Sequence, residues 1–215
     1  MKTASLALTL CVALSSTGCG GLLPKPAPPP ARYTLDTSPA TVTRPAVTRP
    51  ARADGPILLV ALPTSAPGHD SARMVYLMQA QALQAYAFHE WVDTPARMLA
   101  PLLVRALQDG GAFRAVLLSA SSARGGLRLE TEVLRLQQDF GSRPSRVRLT
   151  LRAVLVDSAT RAPLAWREFD ASLAAASDDA PGGAAAAAEL TRQTLAAMAD
   201  FAATAAAATS SRREP

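Results

Sequence analysis

The chain has 215 residues, with 22 Lys and Arg against 17 Asp and Glu and a formal net charge of +5. With 49% hydrophobic and 18% charged residues, the composition suits one folded domain with accessory segments and excludes a chain disordered throughout. Both cysteines, Cys11 and Cys19, fall in the first 20 residues, so the remainder holds no disulfide framework, Cys-ligated zinc, iron–sulfur cluster or Cys nucleophile.

Met1 and Lys2 give a short positive start, and residues 4–14 are an apolar run of 11. Ser15, Ser16, Thr17 and Gly18 follow, then Cys19. This is the three-part pattern of a signal peptide over 1–18, and its apolar run is too short for the about 20 residues a membrane span needs. A Cys directly after small residues resembles a bacterial lipobox, although Ser16 stands where such sequences favour Leu. The resemblance implies cleavage between Gly18 and Cys19 and acylation of Cys19 by palmitate-type chains. Gly20, in place of an Asp, implies an anchor on the periplasmic face of the outer membrane. The plainer alternative is an ordinary secretory peptide with an idle Cys. The basic excess is too small and dispersed to indicate nucleic acid as a partner.

Residues 19–55 read as a lipidated Cys and a tether. Eight of the 17 prolines lie between Pro24 and Pro50. Residues 20–32 favour extended polyproline II, a reach of roughly 40 Å at about 3.1 Å per residue. Tyr33-Thr34-Leu35 is a β-prone patch that could be a first strand. Thr-Arg-Pro-Ala occurs twice in 43–51, which is too little for a solenoid repeat.

The folded core is expected over 56–206, with a disordered tail at 207–215. Ile57–Leu62 is a continuous apolar run that reads as a buried strand. Residues 64–71 are turn chemistry. Met74–Leu77 looks like strand, Gln79–Ala87 has helical propensity, and Phe88–Val92 turns β-like again. Thr94-Pro95 starts a helix, with Thr94 as N-cap and Pro95 at the first helical position. Met98, Leu99, Leu102, Leu103, Ala106 and Leu107 recur at helical spacing, and Gly110-Gly111 ends it. Phe113–Leu118 is the next strand, and Arg124–Gly126 a turn.

Two alternating stretches follow, with Leu127, Leu129, Thr131 and Val133 on one side of the first and Val147, Leu149, Leu151, Ala153 and Leu155 on one side of the second. Period two with charge opposite predicts strands with one buried and one wet face. After the Asp157–Arg161 turn, Leu164–Phe169 returns antiparallel. Ser177–Gly183 reads as a loop. A last helix over 184–206 carries Leu190, Thr194, Ala197, Met198 and Phe201 on one stripe. The fold class is therefore α/β or α+β, a mixed, largely antiparallel sheet packed by two main helices.

This order resembles the PqiC-like auxiliary lipoproteins of ABC-type transporters that work with MCE-domain proteins. The matching pieces are Cys19, Tyr33–Leu35 leading into Ile57–Leu62, Arg73–Tyr76, Tyr86, and Trp91 ahead of Thr94-Pro95. Gly111–Phe113, Leu129–Val133 and the Asp157–Arg161 turn complete them. The resemblance covers most of 19–205 and implies a sandwich like the TolB amino domain. It also implies a non-enzymatic role, docking to a periplasmic MCE protein fed by an inner-membrane ABC permease and ATPase, with lipids or other hydrophobic compounds as cargo. A carrier that itself binds an apolar ligand is the alternative, and a homo-oligomer stays open.

Little in the chain suggests chemistry. His69-Asp70-Ser71 lines up three catalytic residue types, but neighbouring side chains point apart, so a loop is the expected reading. Glu130 and Glu132 share a strand face and suit solvated ion pairs with Arg148 or Arg152. Trp91 and Tyr86 fit either a lipid pocket or a core plug. Gly125-Gly126 and Gly182-Gly183 lack the context of a phosphate loop, so the ATPase must be another chain. No catalytic, cofactor or metal residue is expected, the only histidines being His69 and His89.

Overall fold

The computed structural model describes residues 28–36, 51–79, 81–118 and 126–211. The Thr-Arg-Pro repeat, apart from Ala51, and the Arg124-Gly125 turn lie outside them. The centre of the fold is a three-strand meander. It comprises β7 (Leu127–Asp139), β8 (Arg146–Asp157) and β9 (Pro163–Ala174), paired antiparallel along their length. Each strand is longer than its alternating stretch alone predicted.

Near Val133 to Arg135 the β7–β8 register shifts. The bulge carries the buried side from Leu127, Leu129, Thr131 and Val133 to Leu136 and Gln138. That shift hides the second half of β7 from a strict period-two reading.

The free side of β7 is shared by three strands in succession, all parallel to it. They are β2 (Ile57–Val60), β3 (Thr64–Ser65) and β4 (Arg73–Leu77). The sheet therefore forks. One branch adds β6 (Ala115–Leu118) beside β2. The other adds β5 (Leu83–Trp91) beside β4, then β1 (Ala31–Tyr33) beside β5. The architecture is the expected mixed α/β, with nine strands in an open sheet and two helices among the described residues.

Residues 79–87 correct a sequence expectation. Their Ala, Gln and Leu content favours helix, yet the described ones form a turn and the first half of β5. Val75, Tyr76 and Leu77 pair with Ala85, Gln84 and Leu83, so partner strands override a weak local preference.

Both helices belong to the buried side of the sheet. Helix α1 (Pro95–Asp109) follows Thr94, whose side chain makes no capping hydrogen bond. Asp93 instead accepts from the Thr94 N–H at 2.7 Å. Gly111, at φ 66°, provides the left-handed turn after the helix. Met98, Leu99, Leu103 and Leu107 face the core.

Helix α2 (Ala180–Ser211) starts before and ends after the expected 184–206. Asp179 caps it by accepting from the Gly182 N–H at 2.8 Å. Gly182 and Gly183 are thus in its first turn rather than a loop. A Cβ on Gly182 would strike Ser177, and one on Gly183 would strike the Gln138 amide. The buried stripe is Leu190, Thr191, Thr194, Leu195, Met198 and Ala202; Ala197 is exposed and Phe201 half-buried. Thr191 and Thr194 donate to the carbonyls of Ala187 and Leu190, which satisfies their buried hydroxyls.

Candidate functional site

The expected lipidation and cleavage positions, Gly18 and Cys19, lie outside the described residues. The other candidates resolve into structural roles. His69 Nδ1 accepts from the Leu136 N–H at 3.4 Å, and Ser71 Oγ accepts from the Arg73 N–H at 3.4 Å. Burial lowers the pKa of the His69 imidazole, and the nearby Arg135 charge acts in the same direction. The triplet is a turn, as expected.

Glu132 pairs with Arg152 at 3.2 Å, whereas Glu130 pairs with Arg128 on its own strand at 3.2 Å. Arg148 serves Asp170 instead, at 2.7 Å. Arg148 and the Thr150 hydroxyl hold the Asp170 carboxyl down to about 2. Arg152 also reaches Glu168 at 3.4 Å. The wet side of the meander is thus a ladder of opposed charges.

Trp91 is a core plug. Together with Tyr86, Met74, Leu136, Val147 and Ala187 it lines a cavity of about 10 Å³ between α2 and the sheet. That volume holds about one water and no acyl chain. Tyr86 donates to Gln138 Oε1 at 2.9 Å, and Gln138 donates to Ser145 Oγ at 2.8 Å. The Ser145 N–H donates to Asp178 at 2.6 Å. Burial pushes the Tyr86 hydroxyl up to about 12, so it stays a donor at any physiological pH. This chain of hydrogen bonds ties β5, β7, β8 and the approach to α2 together.

What the structure adds is exposed large apolar side chains: Leu62, Val92, Leu117 and Leu118, and those of two further places. Trp166 is 68% exposed on the wet side of β9, opposite Val154 of β8. It interrupts the charge ladder, and β9 is an edge strand paired only with β8 among the described residues. The parity of β9 could have shown this: Phe169 is buried, and Trp166, three residues away, points to the other face. The second place is the β4–β5 hairpin. There Met78, Leu83 and Phe88 are 54%, 42% and 52% exposed.

Among the described residues there is no cluster of three or more His, Cys, Asp or Glu able to hold a metal. No helix among them is long and apolar enough to cross a membrane.

The model of the ABC-type transport auxiliary lipoprotein component family matches residues 33–199. The chain belongs to that family. Solved structures share the fold of this auxiliary lipoprotein. A Xanthomonas campestris protein is 24% identical with a TM-score of 0.68, over 85% of this chain and 97% of its own. An uncharacterized protein is 15% identical with a TM-score of 0.63, over 81% of this chain and 99% of its own. No curated protein matches the chain. Membership makes the auxiliary lipoprotein a component of ABC-type transport and associates it with an envelope membrane. The family is not a known enzyme family.

Proposed function

We propose that this auxiliary lipoprotein docks a periplasmic MCE-domain protein while Cys19 anchors it to the outer membrane. Through that protein it serves an inner-membrane ABC permease and ATPase that move lipids or other hydrophobic compounds between membranes. The observation that carries the docking role is Trp166 beside Val154 on the edge of an open sheet. An exposed Trp over an otherwise ion-paired face is the kind of anchor that dominates protein interfaces. The β9 edge, unpaired among the described residues, adds a row of backbone donors and acceptors for an extended segment. The role needs no catalytic group from this chain.

The reading in which the protein itself carries an apolar ligand needs an internal cavity of several hundred Å³. The space beside Trp91 falls far short of that.

Pull-down of residues 20–215 against an MCE-type periplasmic protein of the same organism is the direct test. A complex at tens of micromolar, about −6 kcal/mol, is expected. No complex, together with a lipid that co-purifies with the isolated domain, would replace docking by carriage.

A further inference from the structure

The β4–β5 hairpin is an uncharged stretch that exposes large apolar side chains. Residues 74–88 contain no Asp, Glu, Lys or Arg, although 18% of the chain is charged. Met78, Leu83 and Phe88 stand out from it into solvent. The base is stiff: Tyr76 donates to Gln84 at 2.9 Å, its ring lies 4.6 Å from that of Tyr86, and Phe140 meets it edge-on at 5.8 Å. The β4–β5 register shifts between Arg73 and Val75. This irregularity lies opposite the stretch of β5 where Tyr86 turns into the core and Phe88 is left outside. A charge-free hairpin that exposes three large apolar side chains is suited to an apolar contact.

The position of the chain's entry says which surface that is. Strand β1 is parallel to β5, with Ala31 beside His89 and Tyr33 beside Trp91. The polypeptide therefore arrives from the Leu83 end of β5, the end that carries the hairpin turn. Pro28 follows Cys19 by nine residues, a reach of about 28 Å in polyproline II. From Phe88 back to Leu83 is at most about 17 Å of strand, shortened by the register shift. A lipid anchor at Cys19 thus holds the hairpin within contact distance of the bilayer.

We propose that the β4–β5 hairpin seats on the lipid surface, with Met78, Leu83 and Phe88 entering the headgroup region. The proposal rests on the anchor at Cys19. With that anchor, the hairpin fixes the orientation of the domain, which a single point of attachment cannot do.

The test uses the full acylated protein reconstituted in phosphatidylethanolamine–phosphatidylglycerol vesicles that contain a phospholipid brominated on its acyl chains. In a Trp166→Phe background, Leu83→Trp places a reporter on the hairpin, and buried Trp91 is a constant background. The reporter emission is expected to shift to the blue and fall about twofold, as for a group about 5–10 Å below the headgroups. Trp166 in the otherwise unchanged protein is expected to stay unquenched. Protein that floats with the vesicles but shows no quenching at position 83 would overturn the proposal and leave the anchor standing. Quenching absent with lipid, but an emission shift on adding the MCE-type protein, would also overturn it and assign the hairpin to a protein partner. Acylated protein that fails to float would overturn both the anchor and the proposal.

Discussion

Gly183 shows how a single residue can be read in two opposite ways. In sequence, Gly182-Gly183 looks like a helix breaker. In the fold, each glycine lets another element approach the first turn of α2, and Gly183 makes room for the Gln138 amide. Gly183→Ala is therefore expected to destabilise the domain by about 1–3 kcal/mol through overpacking. That corresponds to a fall of about 2–4 °C in Tm per kcal/mol, measured by calorimetry. Adding Gln138→Ala removes the obstruction, so the two losses are expected to be less than additive. Full additivity would show that the pair does not touch. His69 supplies a pH signature. Burial holds its folded pKa below the ordinary 6.5, so the unfolded chain takes up a proton that the native ring resists. Stability from this residue is complete above that ordinary value and declines as pH falls below it towards the folded pKa. His69→Gln keeps an acceptor for the Leu136 N–H without titrating. Its Tm should vary less than that of the wild type between pH 7 and 5.5, and an unchanged slope would remove His69 from the account.

At the scale of elements, the meander and α1 were legible and the β4–β5 hairpin was not. Alternation in β7 and β8 is direct evidence of a half-buried strand, because each side chain sees one face only. Helix α1 announces itself by Pro95, its apolar stripe and Gly111. Residues 79–87 carry no such signal; their strand state comes from β4, which sequence periodicity does not register. The stripe of α2 was blurred for another reason. Alanine is a good helix former whichever way it faces, so Ala197 and Ala202 look alike in sequence although only Ala202 is buried. The Arg partners of Glu130 and Glu132 were half legible, since strand parity gives the face but not which neighbour is nearer. Strand β1 tests where the tether ends. Tyr33 pairs with the Trp91 position, and Leu35 just beyond is only 3% exposed. Leu35→Ala is expected to cost about 2–5 kcal/mol, as for a buried leucine elsewhere in a core. Replacement of residues 20–27 by a flexible segment of equal reach is expected to leave Tm unchanged. A drop on that replacement would mean that the fold begins before Pro28.

Across the whole molecule, Trp166 and the exposed apolar residues of the β4–β5 hairpin lie far apart. Leu77, at the hairpin, is level with Asp139 at one end of β7, whereas Trp166 is level through Val154 with Glu130 towards the other end. Nine residues of strand separate those levels, about 30 Å, and four strand spacings between β5 and β9 add about 19 Å across the sheet. A domain seated by its hairpin therefore presents Trp166 away from the lipid, where a partner from the opposite membrane can reach it. The consequence is that attachment and docking separate by mutation. Cys19→Ser is expected to move the protein from the membrane to the soluble fraction and abolish fatty-acid labelling, with its affinity for the MCE-type protein retained. Trp166→Ala is expected to do the reverse. Being 68% exposed, Trp166 contributes little to the fold, so its removal should change stability by no more than about 0.5 kcal/mol. Flotation with membranes should persist, while affinity for the partner falls about 30-fold, the loss of a 2 kcal/mol interface anchor. Titration calorimetry and flotation on both variants read the two effects independently. If Trp166→Ala binds the partner as the wild type does, the docking surface lies elsewhere on the sheet; if Cys19→Ser still labels with fatty acid, the anchor is not Cys19.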